Sequence, residues 1–286
     1  MVVSKFAAQK QSQDLPLSTM PDEELLHVPS RDGARIAVWR SGRGRPLVLV
    51  HGTSVDHRDW APVLPALRSR YTVYAVDRRG LGASEDPPEY SPEREFEDVA
   101  AVVEAIGEPC GLAGHSFGAL CSLEAARLTP NLRKLVLYEP PIPTGPDFHP
   151  PDIIERLEGL LQTGQRDEVV ATFMREVAEH KAERVERQRR SPGWAFRAAA
   201  AHTVVRETRC THFYALEPER FRDVQVPTLL LLGGASSARH VATTTAVASV
   251  LSDVRVAVLP GQTHLAVRTA PQLFLDEVLC FLDMPD

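Results

Sequence analysis

Ser116 stands between Gly114 and Gly118 in the stretch GLAGHSFGAL (111–120), a G-x-S-x-G spacing where an apolar run gives way to a helix-like segment. A hydroxyl at such a turn projects from the backbone. The helix behind it offers unpaired N–H groups and the positive end of its dipole to any negative charge that develops nearby. That is the chemistry of a serine nucleophile attacking a carbonyl. The flanking glycines permit the close strand–helix approach that the elbow needs. Alone, the pentapeptide arises by chance in roughly one chain in ten at average glycine usage, so neighbouring segments must decide between a nucleophile and a small residue at a tight turn.

Two segments bear on that choice. VLVHGTS (48–54) is an apolar strand ending in His51-Gly52, and the N–H of Thr53 beyond it is placed to act with that of Phe117 as a pair of oxyanion donors. Its plainer reading is a strand-end turn. VLPGQTHLA (258–266) puts His264 in a glycine-containing loop after a late strand. A solitary histidine is usually a surface or core residue, but one after the last strand can reach back over the sheet edge as a general base.

These residues need a scaffold that brings three distant loops together. Continuous apolar runs at 46–50, 71–76, 110–114, 134–138, 227–232 and 254–259 read as strands covered on both faces. Helix-sized segments at 60–68, 92–106, 117–128, 240–251 and 271–283 alternate with them. The alternation predicts an α/β fold with a doubly wound, mostly parallel sheet and right-handed crossovers. Before the first run, HVPSRDGARIAVWRSG (27–42) carries the Asp32-Gly33 signal of a β-hairpin. From Gly145 to Asp223 the apolar spacing is three to four with no clear strand, which predicts a helical insertion at the sheet's carboxyl edge. Within it Phe173, Trp194, Phe196, Phe213 and Tyr214 either shape a pocket or pack as the insertion's own core.

The combination of HGTS, DRRGLGAS (77–84), GHSFG and GQTH resembles the α/β-hydrolase superfamily, and the likeness runs from about residue 27 to 283. It implies a core of 27–144 and 224–286 and a helical cap at 145–223, inserted after the sixth strand. It further implies a Ser-acid-His triad in that chain order, an oxyanion hole from Thr53 and Phe117, and no cofactor. Serine rather than aspartate at the elbow points away from the haloalkane dehalogenase and epoxide hydrolase branches. One element departs from the family pattern. The acid commonly follows the seventh strand in a G-x-x-D arrangement, yet LLLLGGASSARH (229–240) holds no carboxylate, and Ser236 or Ser237 occupies its place. A hydroxyl there could orient His264 but not stabilise an imidazolium with a full charge. The substitute is Glu139 in LVLYEPP, at the end of the strand that the family topology sets beside the nucleophile strand. Its structural reading is a carboxylate that fixes the Pro140-Pro141 exit. Asp223 precedes the seventh strand and so lies at the wrong edge, while Asp77 is expected to hold the following glycine loop through backbone N–H groups.

Composition narrows the partners. The 286 residues are 43% hydrophobic with a net charge of −6, and the basic residues are scattered, which argues for one core domain with an insertion. It also argues against nucleic acid or an anionic membrane surface as partner. A small-molecule substrate remains. No apolar stretch reaches the ~20 residues of a membrane-spanning helix, and residues 1–26 read as a loosely ordered lead-in without a signal-peptide pattern. Cys110, Cys121, Cys210 and Cys280 are far apart, the pattern of reduced thiols in a cytoplasmic protein. No feature sets an oligomeric state. His57 and His115 either line the site mouth or pack, and His202 and His212 lack metal-ligand spacing, so no metal is expected. The expected reaction is hydrolysis of a small, uncharged carboxylic ester or lactone through an acyl-enzyme on Ser116. An anionic substrate would call for a basic pocket, with Arg78 and Arg79 as its candidates. A carboxylate beside His264 is expected to raise its pKa. The rival readings are a non-hydrolytic member of the same fold (lyase, cofactor-free oxygenase or cyclase) and a ligand receptor.

Overall fold

In the computed structural model, which describes residues 23–285, the Asp32-Gly33 pair turns the chain between β1 (Glu24–Pro29) and β2 (Arg35–Gly42). Gly33 takes a left-handed φ of 88°, and Asp32 Oδ1 accepts the Ala34 N–H. The strands pair antiparallel from Glu24 with Arg40 to Pro29 with Arg35. Residues 1–22 of the expected lead-in lie outside the described residues, and Glu24 already opens β1.

The six apolar runs form β3 (Arg45–Val50), β4 (Tyr71–Val76), β5 (Cys110–His115), β6 (Leu132–Tyr138), β7 (Thr228–Gly233) and β8 (Val254–Leu259). The sheet order is β1-β2-β4-β3-β5-β6-β7-β8, with β2 antiparallel to both neighbours and every other pairing parallel. β5 and β7 are buried along their whole length, as apolar strands covered on both faces must be. The last strand departs from that pattern. β8 is an edge, and Val256 and Val258 stay 45% and 52% exposed.

The helices are α1 (Leu64–Arg68), α2 (Pro92–Ile106) and α3 (Phe117–Ala125), then α4 (Ile153–Gln162), α5 (Arg166–Thr172), α6 (Ala182–Arg189), α7 (Trp194–Ala199) and α8 (Ala201–Phe213) between β6 and β7. α9 (Ala238–Val250), α10 (Ala266–Thr269) and α11 (Pro271–Leu282) follow. Two compact units result. One holds the sheet, and the other comprises Ile142–Leu216 with Thr53–Val55. The helical unit has its own core of residues such as Ile153, Leu157, Val170, Met174 and Val204, each of which contributes about 1.5–3 kcal/mol by burial. Trp194 belongs to this core and Phe173 packs on it, whereas Phe213 is 68% exposed. Cys110, Cys121, Cys210 and Cys280 form no disulfide, and only Cys280 among them is exposed. Among the described residues no helix is long and apolar enough to cross a membrane.

The order places β5 between β3 and β6, so the loops after HG, GHSFG and LVLYEPP leave neighbouring strands at one sheet edge. α3 is buried on every side, because it packs directly on backbone. A Cβ on Gly118 would stand 2.3 Å from the carbonyl oxygens of both Val50 and His51, and one on Gly114 would stand 2.4 Å from that of Gly118. Backbone cannot rotate away as a side chain can. Gly118→Ala is therefore expected to lose about 3 kcal/mol of stability in urea denaturation. Gly159→Ala, inside α4 with nothing within 4 Å of its Cβ, should gain about 0.5–1 kcal/mol. Equal stabilities for the two variants would show that the α3 contact relaxes freely.

Candidate active site

β5 ends at His115 and α3 begins at Phe117, so Ser116 alone makes the turn. It does so at φ 56° and ψ −126°, a conformation that costs an L residue of order 1–3 kcal/mol. Hydrogen bonds on both sides hold it there. Its N–H donates to the Tyr138 carbonyl at 2.9 Å, and its own carbonyl accepts the Ala119 and Leu120 N–H groups that open α3. Gly52 leaves room for the elbow, since a Cβ there would come within 3.0 Å of Ser116 Cβ. Phe117 is the first residue of α3, with its ring 4.8 Å from the Arg78 guanidinium. Thr53 follows Gly52 and groups with the helical unit, in which Arg197 donates to both the carbonyl and the hydroxyl of Ser54.

The bond from Ser116 to Tyr138 also locates Glu139. β5 and β6 pair in parallel with His115 opposite Tyr138, and the next residue on each strand leaves the sheet. Glu139 takes a left-handed φ of 46° ahead of Pro140-Pro141, which directs its fully buried side chain along the sheet edge toward β7. Oε1 accepts the Gly233 N–H at 2.8 Å and the Ser236 hydroxyl at 2.6 Å. Oε2 meets His264 Nδ1 at 2.7 Å and lies 3.6 Å from His240 Nε2. Burial alone would raise this carboxyl's pKa, but the His264 hydrogen bond and charge, with His240 and Ser236 behind them, outweigh burial and lower it to about 2. Ser236, at the place of the usual acid, turns its hydroxyl to the carboxylate of Glu139.

The loop bearing His264 is held at several points. Tyr138 donates its hydroxyl to the Thr263 carbonyl and accepts the Ala266 N–H at 3.2 Å. His115 Nε2 donates to the His264 carbonyl at 2.8 Å, and the two rings lie 4.6 Å apart. The residue before the elbow serine thus supports the histidine. Gly233 allows the β7 and β8 loops to touch: its Cβ would stand 2.6 Å from the Gln262 carbonyl, which also accepts the Ala235 N–H. An ionised Glu139 can only accept, so the shared proton sits on Nδ1 of His264 and leaves a lone pair on Nε2. Burial lowers the His264 pKa to about 4, with His115 and His240 adding to it and the Glu139 bond opposing it. The expected upward shift is thus reversed, because desolvation exceeds the carboxylate's attraction.

Other residues singled out by the sequence prove to be structural. His51 is neutral, bonding Gly52 O through Nδ1 and accepting the Arg78 N–H on Nε2. Asp77 accepts from Ala83 N, Trp39 Nε1, His57 N and His57 Nδ1, while the His57 ring stacks on Trp39. Arg78 is buried against Glu95, and Arg79 against Asp98 and Asp32, so neither offers a free cation to a substrate. Among the described residues two groups have metal-ligand chemistry, Glu139-His240-His264 and Asp56-His57-Asp77. His240, which closes the GGASSARH segment, carries no local sequence signal that its ring faces Glu139.

Residues 47–277 match the model of the alpha/beta hydrolase family. The chain belongs to that family. An alpha/beta hydrolase structure from Sphaerobacter thermophilus superposes with a TM-score of 0.80 at 36% identity, covering 90% of this chain and 99% of that one. The 2-(acetamidomethylene)succinate hydrolase of Mesorhizobium japonicum is 26% identical over 86% of this chain and 91% of its own. The esterase RhEst1 from Rhodococcus sp. has a TM-score of 0.65 at 25% identity, over 90% and 98% of the two chains. Within the alpha/beta hydrolase fold the present chain takes its buried carboxylate from the end of β6. The His264 ring should therefore titrate with a midpoint below 6.5, read from its Cε1–H NMR shift, and Glu139→Gln should lower it further. A midpoint above 7 would mean that the carboxylate's charge, not desolvation, governs the ring.

Proposed function

We propose that the chain is a serine hydrolase that cleaves a small carboxylic ester or lactone through an acyl-enzyme on Ser116. The observation that carries this reading is the 2.7 Å Glu139–His264 pair, built on the same strand end that accepts the Ser116 N–H. Ser116 Oγ attacks the carbonyl carbon as His264 Nε2 takes its proton. Glu139 keeps the proton of His264 on Nδ1 and stabilises the imidazolium that forms. The N–H groups of Thr53 and Phe117 are assigned to the oxyanion. His264 then returns its proton to the departing alcohol, and water attacks the acyl-enzyme by the same route in reverse.

Substrate charge follows from the arginines. With Arg78 and Arg79 each neutralised by buried carboxylates, an uncharged acyl group is favoured over an anionic one. The named substrate of the Mesorhizobium relative is a succinate derivative containing an acetamido group, so the test must span both charge and bond type. Neutral esters and lactones of graded chain length, the matching amides and the matching dicarboxylates would be assayed with wild type and Ser116→Ala. Turnover confined to dicarboxylates or amides would move the substrate class, and turnover that survives Ser116→Ala would remove the acyl-enzyme.

The acid has its own test. Glu139→Gln keeps shape but removes charge, so kcat should fall roughly 10²–10⁴-fold with KM little changed, whereas Ser236→Ala should remain within about tenfold of wild type. The opposite ranking would assign the orientation of His264 to the seventh-strand hydroxyl.

A further inference from the structure

Glu139 Oε2 faces two imidazoles, and the hydrolytic reading uses only one. His240 lies on α9, with Nε2 3.6 Å from Glu139 Oε2 and Nδ1 3.1 Å from the Ser237 hydroxyl. One ligand atom from each of Glu139, His240 and His264 lies within 4.8 Å of the other two. We propose that these three residues form a binding site for a divalent transition-metal ion of the zinc class, and that the bound ion switches off the Glu139–His264 pair. The binding stands on the geometry alone, while the switch rests on the proposed acyl-enzyme chemistry.

Two imidazoles and one carboxylate make a donor set suited to Zn²⁺, Cu²⁺ or Ni²⁺ and poorly suited to Mg²⁺ or Ca²⁺, which prefer all-oxygen shells. Tetrahedral zinc with bonds of about 2.0–2.1 Å places its ligands ~3.3 Å apart. The Glu139–His264 and Glu139–His240 separations of 2.7 and 3.6 Å bracket that value, so small rotations of His240 would complete three positions and leave a fourth for water. An outer shell is already present. Gly233 N–H and the Ser236 hydroxyl hold the other carboxylate oxygen, and Ser237 fixes the orientation of the His240 ring. Both imidazoles are partly open to solvent, with side chains 15% and 17% exposed. The Asp56-His57-Asp77 group differs on both counts, since all three residues are buried and the two Asp77 oxygens already serve four donors.

The switch follows from the tautomer. In the free pair, His264 carries its proton on Nδ1 and its lone pair on Nε2. A metal ion on Nδ1 takes that ring's inward lone pair, so the neutral imidazole holds its single N–H at Nε2. The proton has only moved across the ring, and none is lost. Nε2 is then unable to accept the proton of Ser116, and chelation of the ion restores the original tautomer.

Isothermal titration with zinc chloride tests the binding on full-length wild type, Ser116→Ala, His240→Gln and His240→Cys. Wild type and Ser116→Ala should bind alike, His240→Gln should bind roughly tenfold or more weakly, and His240→Cys, which restores a ligand atom, should recover binding. No binding by wild type, or equal affinity in wild type and His240→Gln, overturns the site. Hydrolysis assays test the switch. Zinc should inhibit wild type reversibly with EDTA, magnesium should not, and His240→Gln should need at least about tenfold more zinc. Zinc that binds at this site without inhibiting would overturn the switch and leave the hydrolytic reading intact. A wild type without ester turnover would refute that reading, and the switch with it, while the titrations still decided the metal site.

Discussion

A carboxylate can remain ionised in a protein interior only when donors meet both of its oxygens, because an unpaired buried charge costs several kcal/mol. Glu139 satisfies that requirement with donors from two separate segments. Gly233 and Ser236 come from the end of β7 and the turn after it and His264 from the loop after β8, while Glu139 itself directly follows β6. Each donor in turn depends on a backbone detail. Gly233 must lack a side chain for its loop to meet Gln262 and Thr263, and the His264 loop is in place because Tyr138 and His115 bond its carbonyls. Removing any one of these contacts would leave charge or polar surface buried without a partner.

On the far side of β5, buried charge does a different job. Arg78 spans the end of β3, donating to His51 O and Gly52 O at 3.0 Å each, with Glu95 neutralising it. A planar peptide points its N–H opposite to its carbonyl. The bond to Gly52 O therefore helps set the direction of the N–H in the same peptide, that of Thr53. Asp77 acts similarly on the neighbouring loop. Gly82, at φ 57° and with no room for a Cβ beside Asp77, completes a turn that the DRRGLGAS motif spells out residue by residue. Polar residues that looked available for substrate recognition in the sequence are thus committed to holding loops.

The fold was legible because both of its signals are local. Apolar runs with no polar face, such as LLLL at 229–232, can only be strands covered on both sides, and the glycines of the elbow announce a backbone contact that any side chain would block. Ser116 and His264 could be nominated from strand ends, and Glu139 from its strand end together with the topology that the family resemblance implies. Their electrostatics could not. Whether burial or the carboxylate governs His264 depends on how many groups crowd the ring, and His115 and His240 reach it from the end of β5 and from α9, each more than twenty residues away in sequence. His240 stayed hidden for the same reason, since nothing in its own helix reveals that its ring faces a glutamate a hundred residues earlier. The pairing of Arg78 with Glu95 and of Arg79 with Asp98 was equally invisible, because a helix register decides which carboxylates turn inward.

The absence of a carboxylate after β7 becomes intelligible once the position of a buried charge is separated from the strand that supplies it. What a histidine in the His264 loop requires is a carboxylate oxygen about 2.7 Å from Nδ1, and that point lies between the ends of β6 and β7. Ser236, at the seventh-strand position where the family pattern has its acid, brings its hydroxyl to 2.6 Å from Glu139 Oε1. The two strand ends therefore converge on one small volume. A side chain from either can fill it, and the other must then contribute a short hydrogen-bond donor rather than a second negative charge, since two carboxylates so close could not both ionise. The serine at 236 and the glutamate at 139 are in this sense one feature. The left-handed backbone at Glu139, unusual for a residue with a side chain, is the local distortion needed to reach the shared volume from β6, and the Pro140-Pro141 pair that follows restricts the chain to the exit this distortion requires.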